Sequence, residues 1–226
     1  MCFSPEADFT ASVLVGGVGV ETLRRVRTKR ELIVGALPLL FALHQFTEGF
    51  VWLGLRGEVS GGLAHTATDI YVIYAYAVLP AIVPIGLYLI EPSRRHRRWV
   101  LPFIALGLLV GGYMLWQITQ YPIYAQEQAS CINYSTYTPL GAEAAVAYVI
   151  ATCVPALLSS RRYLKWFGVV NLIGVAIAFT VREVEFTSVW CAYAALVSVL
   201  ILEHFRRQRR LEAGLSGSRS PAAAQS

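Results

Sequence analysis

The chain has 226 residues, of which 56% are hydrophobic and only 15% charged, with a mean hydropathy of +0.53. About a quarter of the residues of an ordinary soluble domain are charged, so this composition excludes that class and points to an integral membrane protein. The net charge of +5 sits in short clusters beside apolar runs, where Lys and Arg meet anionic headgroups, and nucleic acid is excluded as a partner.

A spanning helix needs about 20 mainly apolar residues, and seven segments approach that length: residues 7–26, 32–55, 67–90, 99–120, 139–158, 164–182 and 187–205. The first is introduced by Ser4-Pro5-Glu6, a hydroxyl N-cap with proline at the first helical position and an acid in the first turn. Pro38, Pro80, Pro84 and Pro155 fall inside apolar runs, where a bundle tolerates them as kinks. The expected class is therefore all-α and polytopic, with seven transmembrane helices in residues 1–206. Residues 207–226 form a cytoplasmic tail too poor in apolar residues to fold.

Basic clusters at Arg24 to Arg30, Arg94 to Arg98, Arg161 to Lys165 and Arg206 to Arg210 follow the first, third, fifth and seventh spans. The positive-inside rule places these connections in the cytoplasm, the N-terminus outside and the C-terminus inside. Of the 19 Lys and Arg, only Arg56 and Arg182 fall on the outer side. No basic n-region or small-residue cleavage site marks the N-terminus as a signal peptide, so the first helix is expected to persist. The longest connection, 121–138, carries Cys131 and the tyrosines Tyr121, Tyr124, Tyr134 and Tyr137, which suit a headgroup belt.

Ionisable groups inside spans cost several kcal/mol when they face lipid, so they mark candidate functional interiors. The second span holds His44, Gln45, Glu48 and Trp52, whose three-four spacing puts them on one helix face. A His-x-x-x-Glu pair can share a proton or bind one metal ion; the bland alternative is a hydrogen-bonded rivet between helices. The third span opens with His65 and Asp69, again four apart, and the last carries Trp190-Cys191. Glu48, Asp69 and Cys191 thus fall in the same outer half. Cys2 precedes the first helix in that layer, and with Met1 removed its amine and thiol could chelate Zn2+ or Cu+. A disulfide, Cys2 to Cys131 or Cys2 to Cys191, and plain buried thiols stand equally open. Cys153 reads as a small core residue, Glu21 as a partner of Arg24 or Arg25, and Asn171 and Ser198 as hydrogen-bond donors between helices. Gly16, Gly17, Gly19, Gly107, Gly111 and Gly112 are expected to permit close helix contact.

The opening Met-Cys-Phe-Ser, the stretch Gln45-x-x-Glu48-Gly49-x-x-Trp52 and the pair Trp190-Cys191 resemble those of a widespread bacterial family of multi-pass membrane proteins of unknown function. The resemblance covers residues 1 to about 205 and implies that Cys2, Gln45, Glu48, Trp52 and Cys191 matter, without supplying an activity. A weaker, architectural similarity is to the alkaline ceramidase-like intramembrane hydrolases, in which zinc-bound water attacks a lipid amide or ester. Those enzymes carry a His-x-x-x-His pair on the last helix, whereas the last helix here has only His204.

The leading expectation is a bacterial plasma-membrane protein with a metal site built from Cys2, His44, Glu48 and Cys191 and supported by Gln45, Trp52 and Asp69. If catalysis follows, Glu48 with His44 would activate metal-bound water against a lipid-like substrate. The alternatives are a sensor or small-solute permease with His44 and Glu48 as a proton-linked gate and Trp52 as a constriction, or a structural subunit. The bilayer is the expected partner in every case; a second copy or a membrane complex is a further candidate.

Overall fold

The structure is a computed structural model that describes residues 4–128, 131–181 and 197–210. Seven α-helices lie among the described residues: α1 (Pro5–Leu23), α2 (Leu32–Leu55), α3 (Gly61–Ile90), α4 (Arg94–Gln120), α5 (Gly141–Leu157), α6 (Arg162–Val181) and α7 (197–210). Three are long and apolar enough to cross a membrane: Lys29–Leu55, which takes in α2, with α3 and α4. The apolar α5 is shorter, at 17 residues. α1 holds Glu6, Asp8 and Glu21, which dilute its apolar character.

Helix starts follow their caps more closely than their hydropathy. Ser4 accepts from the Ala7 N–H and Pro5 opens α1, which ends at Leu23, three residues before the expected limit. Ser60 accepts from the Leu63 N–H, so α3 begins six residues ahead of the apolar run that starts at 67. Ser93 caps the His96 N–H, and the basic cluster Arg94 to Arg98 becomes the first turn of α4 instead of a loop. At the other extreme α7 runs on to residue 210, past the expected tail boundary at 207, because Gln208 and Arg209 are tied into the bundle.

In the middle of α3, Ile73–Val78 is π-helical. Pro80 and Pro84 follow it; neither has an N–H, and Pro84 leaves the carbonyl of Pro80 without its helical donor. α4 covers that defect: a Cβ at Gly107 would run into the Pro80 carbonyl oxygen, and one at Gly111 into that of Ala77. Glycine lets the two backbones touch, and Cα–H groups can face the freed carbonyl. Gly19 of α1 does the same against Leu39 of α2, where a Cβ would lie 2.6 Å from the backbone nitrogen. Gly17 and Gly112, expected to serve similarly, face open space.

Two apolar clusters organise the bundle. One joins Val34 and Leu37 of α2, Leu79, Val83, Leu87 and Ile90 of α3, Ala156 of α5, Leu164 of α6 and Ile201 and Phe205 of α7. The other joins Val51 and Trp52 of α2 and Ala67, Tyr71 and Val72 of α3 to Ile132 and Tyr134. The last two belong to an antiparallel hairpin, β1 (Tyr124–Gln128) and β2 (Cys131–Ser135), in register from Tyr124 opposite Ser135 to Gln128 opposite Cys131. The purely α-helical expectation is corrected here. Ile132 and Tyr134 alternate with Asn133 and Ser135, so β2 buries one face against α2 and α3, and the expected loop is a sheet.

The four basic segments are gathered at one end by hydrogen bonds that are mostly partly buried. Glu31 receives the Arg27 and Thr28 amides, the Gln208 amide group and Arg209, at 2.6 Å. Arg209 also donates to the Arg25 carbonyl, and Arg161 donates to Tyr163 and Gln208. Glu91, in the turn between α3 and α4 and only 2% exposed, accepts from Ser159 at 2.6 Å, from the Ser160 amide and hydroxyl, and from the Ser93 amide. Burial pushes the Glu91 carboxyl up, but these donors outweigh it and hold the group below the usual carboxylate range. Glu21 pairs with Arg25, as expected.

Candidate functional site

The polar group on α2 is buried as a unit. His44 is 6% exposed, Gln45 2%, and Glu48 and Trp52 0%, so the face shared by the three-four spacing is turned into the bundle. Opposite it α1 contributes Asp8, also 0% exposed. Its neighbours on that face, Ala11, Ser12, Val15 and Gly19, are small enough to let α1 lie close to α2. Asp8 is near enough to Glu48 to feel its charge. Two carboxylates from two helices are therefore buried within electrostatic reach of each other.

One turn along α2, the His44 ring is stacked on Tyr71, with centroids 3.8 Å apart and planes 12° apart, and lies 4.8 Å from Tyr74. Its Nδ1 is buried and has no hydrogen-bond partner among the described residues. Tyr71 stacks in turn on Tyr134 of β2 at 4.5 Å. At the end of α2, Arg56 lies over the Trp52 ring, 5.9 Å from its centroid, and 3.7 Å from Glu6. The polar interior is thus walled by aromatic rings and faced at one end by a guanidinium.

The expected residues do not all converge. Asp69 pairs with His65 at 2.9 Å, both with exposed side chains, on the side of α3 away from Thr68 and Tyr71. Cys2 and Cys191 lie outside the described residues. Among the described residues no three His, Cys, Asp or Glu side chains are grouped as a metal ion would need. Cys131 is disulfide-bonded, while Cys153 is buried and free, as expected for a core thiol. Asn171 donates to the Phe167 carbonyl of its own helix at 2.7 Å instead of bridging helices. His204 stacks on Tyr163 at the basic end, remote in the fold from the α2 group.

Asp8 is the residue that sequence reasoning did not include in the site. Its signal was present: counted from the Ser4 cap, it falls one turn into α1 on the face continued by Ala11, Ser12, Val15 and Gly19, which is the face of small residues. A model of a protein family described as a family of unknown function (DUF6629) matches residues 1–215. No curated protein matches the chain, and no solved structure does, so the similarity to ceramidase-like hydrolases finds no support from these comparisons.

Proposed function

We propose, for a chain that belongs to the DUF6629 family of unknown function, a proton-linked role in a membrane: a multi-pass protein of the sensor or small-solute permease kind. The proton would be held between Asp8 and Glu48, and His44 and Trp52 would form the gate and the constriction. The observation that carries this reading is the pair of fully buried carboxylates, one from α1 and one from α2, that interact electrostatically. Two ionised carboxylates in one dry interior repel each other, and a proton on either relieves that repulsion.

A bilayer setting is supported by the bundle surface. Large apolar side chains are exposed along the helices, among them Val13, Leu14, Leu109 and Val146. On α4 the exposed residues Trp99 and Trp116 are 17 positions apart, about 26 Å at the helical rise, close to the ~30 Å of a hydrocarbon core. Trp99 and Trp166 sit beside basic residues; Tyr121, Tyr124 and Tyr137 accompany Trp116 toward the other end. Such belts, with every basic segment at one end, favour seven spans with the basic end in the cytoplasm.

A second reading keeps His44 as a metal ligand, because its Nδ1 is buried without a partner among the described residues on the face that holds Glu48. That reading needs thiolates from Cys2 and Cys191, together with Zn2+ or Cu+. Reconstitution into liposomes loaded with a pH-sensitive dye separates the two. A proton flux that is lost in both Glu48→Gln and Asp8→Asn supports the proton-linked reading; one equivalent of bound metal in reduced protein, with no carboxyl-dependent flux, replaces it by the metal reading.

A further inference from the structure

We propose that the corner where α4 and α6 begin is a binding surface for the headgroup of an anionic phospholipid. The inference rests on the bilayer setting argued above and not on the proton proposed for Asp8 and Glu48. Glu91 builds the corner. It accepts from the amide of Ser93, which caps α4, and from the amide and hydroxyl of Ser160, two residues ahead of α6, so one carboxylate fixes both helix starts side by side. The Ser159 hydroxyl also donates to it, and among the described residues no basic side chain pairs with it.

The cations of the corner are therefore left over. The other carboxylates at this end are taken, Glu21 by Arg25, Glu203 by Arg207 and Glu31 by Arg209. Arg94, Arg95, Arg97, Arg98, Arg162 and Lys165 have no acidic partner among the described residues. Arg97 is held over the Tyr88 ring, 5.3 Å from its centroid; the others are exposed. Both helices begin without an acid in the first turn, where the helix dipole disfavours cations, and Arg94 and Arg98 are like charges one turn apart. Such starts weaken the helices when bare, and an anion held against them offsets the repulsion.

The surface that carries these charges is also apolar. Arg94, Arg95, Arg98 and Trp99 share one side of α4, which Leu109 and Trp116 continue, and Arg162, Lys165 and Trp166 share one side of α6, which Ile173 continues. Trp99 and Trp166 are 60% and 57% exposed, and Leu109, Trp116 and Ile173 are exposed beyond them. The arginine fork matches the geometry of a phosphate group, tryptophan suits the level between headgroup and acyl chain, and the apolar side chains farther along fit the chain itself. A soluble anion would use the charges alone. Twofold pairing with a second copy through this corner would set the same cations against each other.

Lipid retention by the full chain, purified in a mild detergent and read by native mass spectrometry, tests this. Offered equal amounts of phosphatidylglycerol and phosphatidylcholine with the same acyl chains, the protein should retain the anionic lipid about tenfold or more over the zwitterionic one, since each basic residue near a charged headgroup is worth about fivefold. Arg94→Gln/Arg95→Gln/Arg98→Gln and Arg162→Gln/Lys165→Gln should each lose most of that preference. Lys29→Gln/Arg30→Gln, which removes exposed cations elsewhere at the same end, should keep it. Two variants on different helices preserve the test if one of them fails to fold. Equal retention of both lipids by the wild-type protein overturns the proposal, as does an equal loss of preference in the Lys29 and Arg30 variant. Thermal stabilisation by inorganic phosphate as large as that by phosphatidylglycerol also overturns it and makes the corner a site for a soluble anion, and a dimer that excludes the lipid makes it an interface between copies. Selective retention in a protein without carboxyl-dependent proton flux keeps this inference and discards the proton-linked one. A protein that needs lipid or detergent to stay in solution yet shows no preference discards this inference and keeps the bilayer setting.

Discussion

Gly107→Ala is the substitution for which the structure makes the sharpest forecast, because it adds one methyl group where there is no side chain to move aside. The new Cβ would overlap the carbonyl oxygen of Pro80, a backbone atom fixed between the π-helical segment and Pro84. To make room α4 must move away from α3, and overpacking of that kind costs about 1–3 kcal/mol. The helix propensity gained by replacing glycine with alanine, at most about 1 kcal/mol, offsets only part of it. The same change five residues along provides the control, since a Cβ at Gly112 meets nothing within 4 Å. Gly112→Ala should therefore be neutral or stabilising by up to about 1 kcal/mol. Thermal unfolding of both variants in one detergent, followed by circular dichroism, gives the comparison. A Gly107→Ala protein as stable as Gly112→Ala would refute the close approach of α3 and α4 and the carbonyl account with it.

The basic end makes two further predictions. Arg209→Ala removes the charge partner of Glu31 and leaves its amide donors, in a site where both side chains are 10% exposed. A broken buried pair costs about 3–5 kcal/mol, and partial exposure places the expected loss toward the lower figure; chemical unfolding of Arg209→Ala, Glu31→Gln and the double variant should show strong non-additivity. Glu91 predicts a pH dependence. Its carboxyl lies below the usual range in the folded protein, so its stabilisation is fully present above the unfolded carboxylate value and fades as the pH falls through the folded one. The protection factor of the Ser160 amide should accordingly stay high at neutral pH and fall only in acid, and Glu91→Gln should flatten that profile.

Much of the helical framework was legible because apolar run length and caps act locally. α2 spans Leu32–Leu55, the run expected from hydropathy alone, and Ser4-Pro5 marked the start of α1. The starts of α3 and α4 were missed by several residues, since Ser60 and Ser93 cap polar first turns that hydropathy counts as loop. The hairpin was missed for a different reason: in a stretch of five residues, Ile132 and Tyr134 make only one alternation, too brief a period to read against a belt of tyrosines. In the candidate site the α2 face was legible from spacing, because i, i+4 and i+8 need no knowledge of packing. Asp8 was not, because its importance comes from which helix α1 lies against, and that is set by small residues and the Gly19 contact with Leu39. Asp69 shows the converse. A correct i, i+4 pairing with His65 says nothing about which way the pair faces, and it faces outward.

The proton proposed to be shared by Asp8 and Glu48 is the centre of the functional account, and infrared difference spectroscopy tests for it most directly through the carbonyl stretch of a protonated carboxyl group. In a lipid-embedded preparation at neutral pH, the wild-type protein should show such a band. The band should shift in Asp8→Asn and in Glu48→Gln, and disappear in the double variant. A wild-type spectrum without the band, or a band that neither substitution alters, would contradict the account.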